Sequence, residues 1–423
     1  MLYPHQEVGA EILTRALGTW SYALDASGTG TGKTYTALAV AQRLATPPLV
    51  ICPKSVITAW KNAALDLGVP LTGVINAEML KTGKTPWLQR HTKAFTWLLP
   101  KGDLVIWDEV HGCGGIDTQN AVALALLKPS GVRCLMLSAT LADTPLRLKS
   151  PGYLLGLHGY SDFYDWALKH GCERDYRLNP PPIVYMPWKD PTAFLRLHGA
   201  IFQTDPPKGL RVTLQELGDL PPNVVQATTL DFGEKETKAL ENAYLELLAA
   251  QGKDPQSELA SRTRARQFSE NMKIPAMVEL AKAEAGPVIL FVTYRPSALQ
   301  LHEELGGSLV IGEQTDRDAQ IAAFQRNDTR YCVCTYGAGG ASISLDDRIG
   351  THPRTVFLSP TDSSREMKQA LGRAFRRSTK SRVRQVVLFA AHTIEERICA
   401  SLRRKLTRID ELNDGDLSPE RNF

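Results

Sequence analysis

The sequence predicts an α/β chain of two lobes, each a parallel sheet flanked by helices, with helical segments inserted into both. Three observations predict it. Short, wholly apolar runs, Leu104-Val105-Ile106-Trp107, Cys134-Leu135-Met136-Leu137 and Val288-Ile289-Leu290-Phe291-Val292, read as strands buried on both faces. Runs of this kind occur in both halves of the chain, and each delivers a polar turn at its end. The length of 423 residues suits about two domains, each with its own core.

Along the first half, a short strand-like run leads into Ser27-Gly28-Thr29-Gly30-Thr31-Gly32-Lys33-Thr34, and helix-like spacing follows over Tyr35 to Leu44. Gly28, Gly30 and Gly32 let the backbone turn its N–H groups toward a phosphate, Lys33 reaches the outer phosphates, and the Thr34 hydroxyl suits Mg²⁺. Ser27 stands where the strict G-x-x-x-x-G-K-[ST] pattern has its first glycine, and a flexible turn would share this composition. About 75 residues later the strand Leu104 to Trp107 delivers Asp108-Glu109-Val110-His111. Adjacent acids at a strand end suit nucleotide hydrolysis, Asp108 holding Mg²⁺ and Glu109 orienting or deprotonating the attacking water. A solvated acidic turn accounts for the second motif alone but poorly for both together. Cys134 to Leu137 then delivers Ser138-Ala139-Thr140.

Phosphate loop, DEVH box and Ser-Ala-Thr in this order resemble the first lobe of a superfamily 2 helicase or translocase, a family built from two RecA-like lobes. The resemblance implies ATP and Mg²⁺ as cofactors. It makes Gln6, in Tyr3-Pro4-His5-Gln6, the adenine-reading residue of a Q motif, and gives Ser138 and Thr140 a coupling role. In the second half, Val288 to Val292 ending at Thr293-Tyr294-Arg295 is similar to motif IV. Tyr331 to Thr335, leading into Gly337-Ala338-Gly339-Gly340, is similar to motif V and implies nucleic-acid contacts from Thr335 and Gly339. Gln369-Ala370-Leu371-Gly372-Arg373-Ala374-Phe375-Arg376 matches the Q-x-x-G-R-x-x-R of motif VI at every defined position. Gln369 is thereby a coupling residue. Arg373 and Arg376, three apart and so on one face of a helix, suit the spread charge of a transferring phosphoryl group.

Further segments resemble the Swi/Snf-related DNA translocases. Leu49 to Ser55 with Trp60 looks like their motif Ia, implying DNA contacts from Pro53, Lys54 and Ser55. Ile75 to Leu80 resembles their next DNA-facing motif, and His392-Thr393-Ile394-Glu395-Glu396-Arg397-Ile398 is close to their brace element. The chain departs from them at Ser342, where a glycine is common, and over Phe202 to Leu217, which lacks their paired arginines. The wording of Gln369 to Arg376 is nearer viral and phage members. These features point to a compact relative, not a chromatin remodeller.

Composition bounds the same reading. The net charge is +4, but Arg365 to Arg408 holds 13 Lys/Arg against 3 Asp/Glu, suited to phosphates along a nucleic acid. Seven cysteines show no zinc spacing; Cys332 and Cys334 fall on one face of a strand. No apolar run reaches membrane-spanning length and no cleavable signal is visible, so the expectation is a monomer in the cytoplasm of a bacterial or infected-host cell, the nucleus staying open. The first lobe is placed at 1 to 220, with a helical insertion at about 150 to 200 and a loop over Pro180 to Pro191. The second lobe is placed at 221 to 423, with helices over Glu234 to Ala250 and about Ser257 to Ala285, a sheet beginning at Val288, and a closing helix from Thr393 to Leu412. Arg262, Arg264 and Arg266 are candidates for DNA contact or a solvated face. No aromatic-tipped hairpin for splitting base pairs is evident. The expected partner is duplex or branched DNA, its target selected by the inserted helical segments or by a protein recruiter; an RNA helicase and a non-catalytic DNA-binding module on an ATPase fold stay open.

Overall fold

The computed structural model describes residues 2–92, 95–176, 180–218, 220–230, 232–250, 255–339, 343–390 and 394–414. It divides into two compact units, the first running to Leu217 and taking in the last turns of the C-terminal helix from Thr407, the second from Gly218 to Leu406. The strands of the first are β1 (Tyr22–Asp25), β2 (Leu49–Ile51), β3 (Gly73–Ile75), β4 (Leu88–Arg90), β5 (Phe95–Trp97), β6 (Leu104–Asp108), β7 (Arg133–Leu137), β8 (Cys172–Arg174), β9 (Ile183–Tyr185) and β10 (Gly209–Leu210).

Six of these form a parallel sheet in the order β10-β1-β7-β6-β2-β3. The period of two along each strand splits the core into two layers. In β6, Val105 and Trp107 enter one apolar cluster, Leu104 and Ile106 the other. Asp108 continues the second parity, toward the side where the helix Ile57–Leu67 packs. The parallel order explains why the residues before Asp25 in β1, before Asp108 in β6 and after Arg133 in β7 are apolar: helices cover both faces. It also brings the C-terminal ends of these three strands side by side, where doubly wound sheets bind ligands.

Two antiparallel hairpins, β4–β5 and β8–β9, stand outside the sheet. The second corrects the expected loop over Pro180 to Pro191, because Ile183–Tyr185 pairs with Cys172–Arg174. Just beyond β8 lies Tyr176, 79% exposed. Between β7 and β10 the chain also forms the helices Lys149–Leu154, Phe163–Leu168 and Ala193–Phe202.

The second unit holds β11 (Asn223–Leu230), β12 (Val288–Val292), β13 (Ser308–Val310), β14 (Tyr331–Thr335), β15 (Arg354–Leu358) and β16 (Val383–Ala390), all parallel in the order β11-β16-β15-β12-β14-β13. The sheet therefore begins at Asn223, not at Val288. β11 is an edge strand, largely exposed and rich in Gln, Asn and Thr, without the apolar run that marks a central strand. Two helices follow it, Glu234–Ala250 and Pro255–Ala283. Arg262 and Arg266 of the latter are both ion-paired with Asp362, which accounts for two of the three arginines expected either to meet DNA or to face solvent. The chain closes with the helix Ile394–Asp414; Gly340, Ser342, His392 and Thr393 lie outside the described residues. Among the described residues, no helix is long and apolar enough to cross a membrane.

Candidate nucleotide site

The site of the first unit is built on the turn between β1 and the helix Lys33–Arg43. Gly30 and Gly32 have φ of 84° and 88°, a region that favours glycine. Gly32 is doubly constrained, since a Cβ there would lie 2.2 Å from Gln6 Nε2. Gly32→Ala is therefore expected to lower the melting temperature and weaken nucleotide binding together, the left-handed backbone alone costing roughly 1–2 kcal/mol. Ser27, in place of the pattern's first glycine, has no left-handed requirement. Its N–H donates to Asp25 Oδ1 at 2.9 Å and its hydroxyl accepts the Val212 N–H at 3.1 Å, tying the loop to the segment after β10.

Gln6 is 4% exposed in the first turn of the helix Pro4–Trp20. Its Oε1 accepts the Tyr3 N–H at 2.9 Å and its Nε2 donates to Gly32 O at 3.2 Å. His5 Nε2 lies 2.9 Å from Thr31 O, so both residues of the expected adenine-reading segment grip the phosphate loop. Lys33 Nζ donates to the carbonyls of Ser27 and Gly28, at 2.7 and 2.9 Å. Desolvation lowers the Lys33 pKa, while the carboxylates of Asp25, Glu109 and Asp108 oppose that shift. Asp25, at the end of β1, is itself pushed up by burial.

At the end of β6, Asp108 Oδ1 accepts the Glu109 N–H at 2.9 Å and Oδ2 accepts the Trp60 Nε1–H at 3.1 Å. Burial, reinforced by the charge of Glu109, pushes the Asp108 carboxyl up to about 7, against the pull of Trp60 and Lys33. Glu109 has φ 54°, a left-handed conformation uncommon outside glycine that turns the chain sharply after the strand. His111 Nδ1 lies 3.0 Å from both Glu109 Oε2 and Ser138 Oγ. Ser138 Oγ accepts the Thr140 N–H at 3.2 Å, and the Ser138 N–H donates to Asp25 O at 3.0 Å. The acid box, the Ser-Ala-Thr turn and the start of the phosphate loop are thus one connected network.

The donor set fits Mg²⁺ with a nucleotide. Oxygen donors suit a hard cation, Thr34 stands in the first turn of the helix, and Asp108 is a carboxylate whose raised pKa a cation would reverse. Among the described residues no cluster of three acidic or thiol ligands exists, so phosphates and water would complete the shell. Because the metal needs the ionised carboxylate, Mg²⁺ affinity in the presence of ADP is expected to rise about tenfold per pH unit up to near 7 and then level off. The sign for folding is opposite. With its folded pKa raised above its unfolded one, Asp108 keeps its proton in the folded state as pH rises to about 7, and its contribution to stability falls across that window. Calorimetric titration across pH, with thermal melts of the metal-free chain, checks both.

In the second unit, Thr335 ends β14 and is buried, and Gly339 ends a short helix, Tyr336–Gly339. Gln369 and Arg373 lie on the helix Ser364–Ala374. Arg376 does not: Phe375 is extended and ends the helix, which corrects the shared helical face. The two guanidinium groups nevertheless converge on one atom, Arg373 Nη1 and Arg376 Nη2 donating to Ile343 O at 3.3 and 2.6 Å. Burial pushes Arg376 down to about 10.

Pro53 is half-buried, and Lys54 and Ser55 are exposed at the entry to the helix Ile57–Leu67. Four residues of the first unit were not assigned roles from sequence: His5, Trp60, His111 and Arg211, whose Nη1 donates to Ala26 O at 2.7 Å. His111 is the one with a local signal, sitting inside the acid box.

A phosphate loop, an acid box and a Ser-Ala-Thr turn at adjacent strand ends of a doubly wound sheet define an ATPase of the helicase type. No family model matches the chain. A protein of Acanthamoeba polyphaga mimivirus named as an ATP-dependent RNA helicase is 29% identical over 456 residues, covering 98% of this chain and 84% of that one. The SWI2/SNF2 ATPase core of Sulfolobus solfataricus, solved in complex with dsDNA, is similar over 99% of this chain and 94% of its own, with a TM-score of 0.40 and 19% identity. With its motifs in family order and a relative matched nearly end to end, the chain is similar to superfamily 2 helicases and translocases, and each of its two units is built on a six-stranded parallel sheet.

Proposed function

We propose that the chain is a Swi/Snf-related motor that hydrolyses ATP·Mg²⁺ to move along duplex or branched DNA. The observation that carries the hydrolytic part is the meeting of Lys33, Asp108 and Glu109 around a phosphate loop held by Gln6. In this reading bound phosphates replace the carbonyls of Ser27 and Gly28 as partners of Lys33. Thr34 and Asp108 would hold Mg²⁺, which would neutralise phosphate charge. Glu109, oriented through His111, positions and deprotonates water, and Ser138 and Thr140 relay the nucleotide state from the acid box. Arg373 and Arg376 leave Ile343 for the phosphoryl group, with Gln369 on the helix that carries Arg373. Changes of nucleotide state then alter the grip of Pro53, Lys54, Ser55, Thr335 and Gly339 on the backbone.

The preference for DNA rests on the motif Ia-like Leu49 to Ser55 and the brace-like segment ending at Ile398. A second reading, an RNA helicase that separates strands, is favoured by the name of the mimiviral relative and by the exposed Tyr176 beyond β8. ATPase activity measured with single-stranded, duplex, forked and junction DNA, and with matched RNA, separates them. Duplex DNA is expected to stimulate most, with stimulation falling steeply with salt because the grip is on phosphates. Displacement of a third strand without separation of a blunt duplex supports translocation. Stimulation by RNA alone, with unwinding of a tailed duplex, establishes the second reading.

A further inference from the structure

The indole of Trp60 is 1% exposed, packed in the same apolar layer as Val56, Ala63 and Ile106. Burial there needs only an aromatic ring, and phenylalanine would serve. A buried indole N–H, however, requires an acceptor. It meets Asp108 Oδ2 at 3.1 Å, while the other oxygen of the same carboxylate takes the Glu109 N–H at 2.9 Å. The carboxylate is thus held from two directions, one within its own turn and the other from a helix 48 residues earlier in the chain. That helix, Ile57–Leu67, continues directly from the single 3-10 turn Lys54–Val56, whose first two residues are exposed. A rigid path of about two helical turns therefore joins an exposed lysine and serine to one oxygen of Asp108.

We infer that Trp60 is a positioning residue whose indole N–H couples the Lys54–Ser55 surface to Asp108, so that nucleic acid bound at that surface and metal–nucleotide bound at the phosphate loop raise each other's affinity. The inference rests on the nucleotide-site reading given above. Coupling of this kind is reciprocal, so it is measurable from either ligand. Removing the N–H leaves a buried carboxylate oxygen without its donor, free to rotate away from the direction a metal requires. Metal-free nucleotide binding, which Lys33 and the loop amides would carry, does not pass through that oxygen.

The test uses the full chain and a fluorescent ADP analogue, titrated with and without Mg²⁺ and with and without duplex DNA or a matched duplex RNA. Trp60→Phe is expected to leave affinity in EDTA unchanged and to lower the Mg²⁺-dependent gain in affinity by about tenfold, the worth of a hydrogen bond to a charged group. The additional gain produced by nucleic acid should disappear. Val69→Ala loosens the same layer beyond the far end of that helix, off the path from Lys54 to Asp108, and should keep both gains despite a lower melting temperature. Wild-type gains in Trp60→Phe, or equal losses in Val69→Ala, overturn the inference and leave Trp60 a packing residue. Should Trp60→Phe not fold, benzothienylalanine at position 60 replaces the N–H by sulfur at nearly equal size and reads the same ratios. A wild-type chain that binds no nucleotide even with Mg²⁺ overturns the site reading itself, a result distinct from loss of coupling alone.

Discussion

Glu109→Gln is expected to lower ATP turnover by about 10²–10⁴-fold while nucleotide binding stays near wild type. The geometry allows so clean a separation. Glu109 Oε2 lies 3.0 Å from His111 Nδ1, and a glutamine oxygen can occupy that place, so the acid box, Ser138 and the Asp25 carbonyl stay connected. What is lost is the carboxylate that takes a proton from water. Lys33→Ala should behave differently, because its ammonium, already spanning the Ser27 and Gly28 carbonyls, is the cation that phosphates would meet. Its loss should weaken ATP binding first and turnover as a consequence. Phosphate release and a fluorescent-nucleotide titration on both variants check the division. Equal loss of binding in the two would contradict it, and unchanged turnover in Glu109→Gln would remove Glu109 from the chemistry.

The parts of this arrangement that were legible in sequence are those where one residue type is dictated locally. Gly30 and Gly32 are required by their own backbone angles, and Leu104–Trp107 in β6, Cys134–Leu137 in β7 and all of β12 are apolar because both faces are covered. β11 was missed because an edge strand exposed to water resembles a loop in composition, and β9 because it is three residues long and preceded by prolines. In the site, His5, Trp60 and Arg211 reach their partners across 26, 48 and 185 residues. No local pattern encodes such distances. The helix carrying motif VI was extended two residues too far, since helical spacing alone does not reveal that Phe375 turns extended and leaves Arg376 beyond the last turn.

That displaced end shapes the last prediction. Arg376→Lys is expected to lower kcat by about 10³-fold or more, nearly as far as Arg376→Ala, if the guanidinium acts on the developing phosphoryl charge. A lysine presents a point charge and cannot reproduce the planar fork. In the structure Arg376 also has a local task, donating through Nη2 to Ile343 O and through Nε to Gly372 O. An ammonium can still reach one of these carbonyls, so the lysine variant should melt close to wild type while the alanine variant melts lower. The two tasks are thereby separable in one experiment that reads turnover and melting temperature together. If lysine restores turnover along with stability, Arg376 serves to fasten the chain around Ile343, and Arg373, which shares that carbonyl, becomes the remaining candidate for the phosphoryl group. If lysine restores stability alone, the contact with Ile343 is a resting position from which the guanidinium departs when nucleotide is bound.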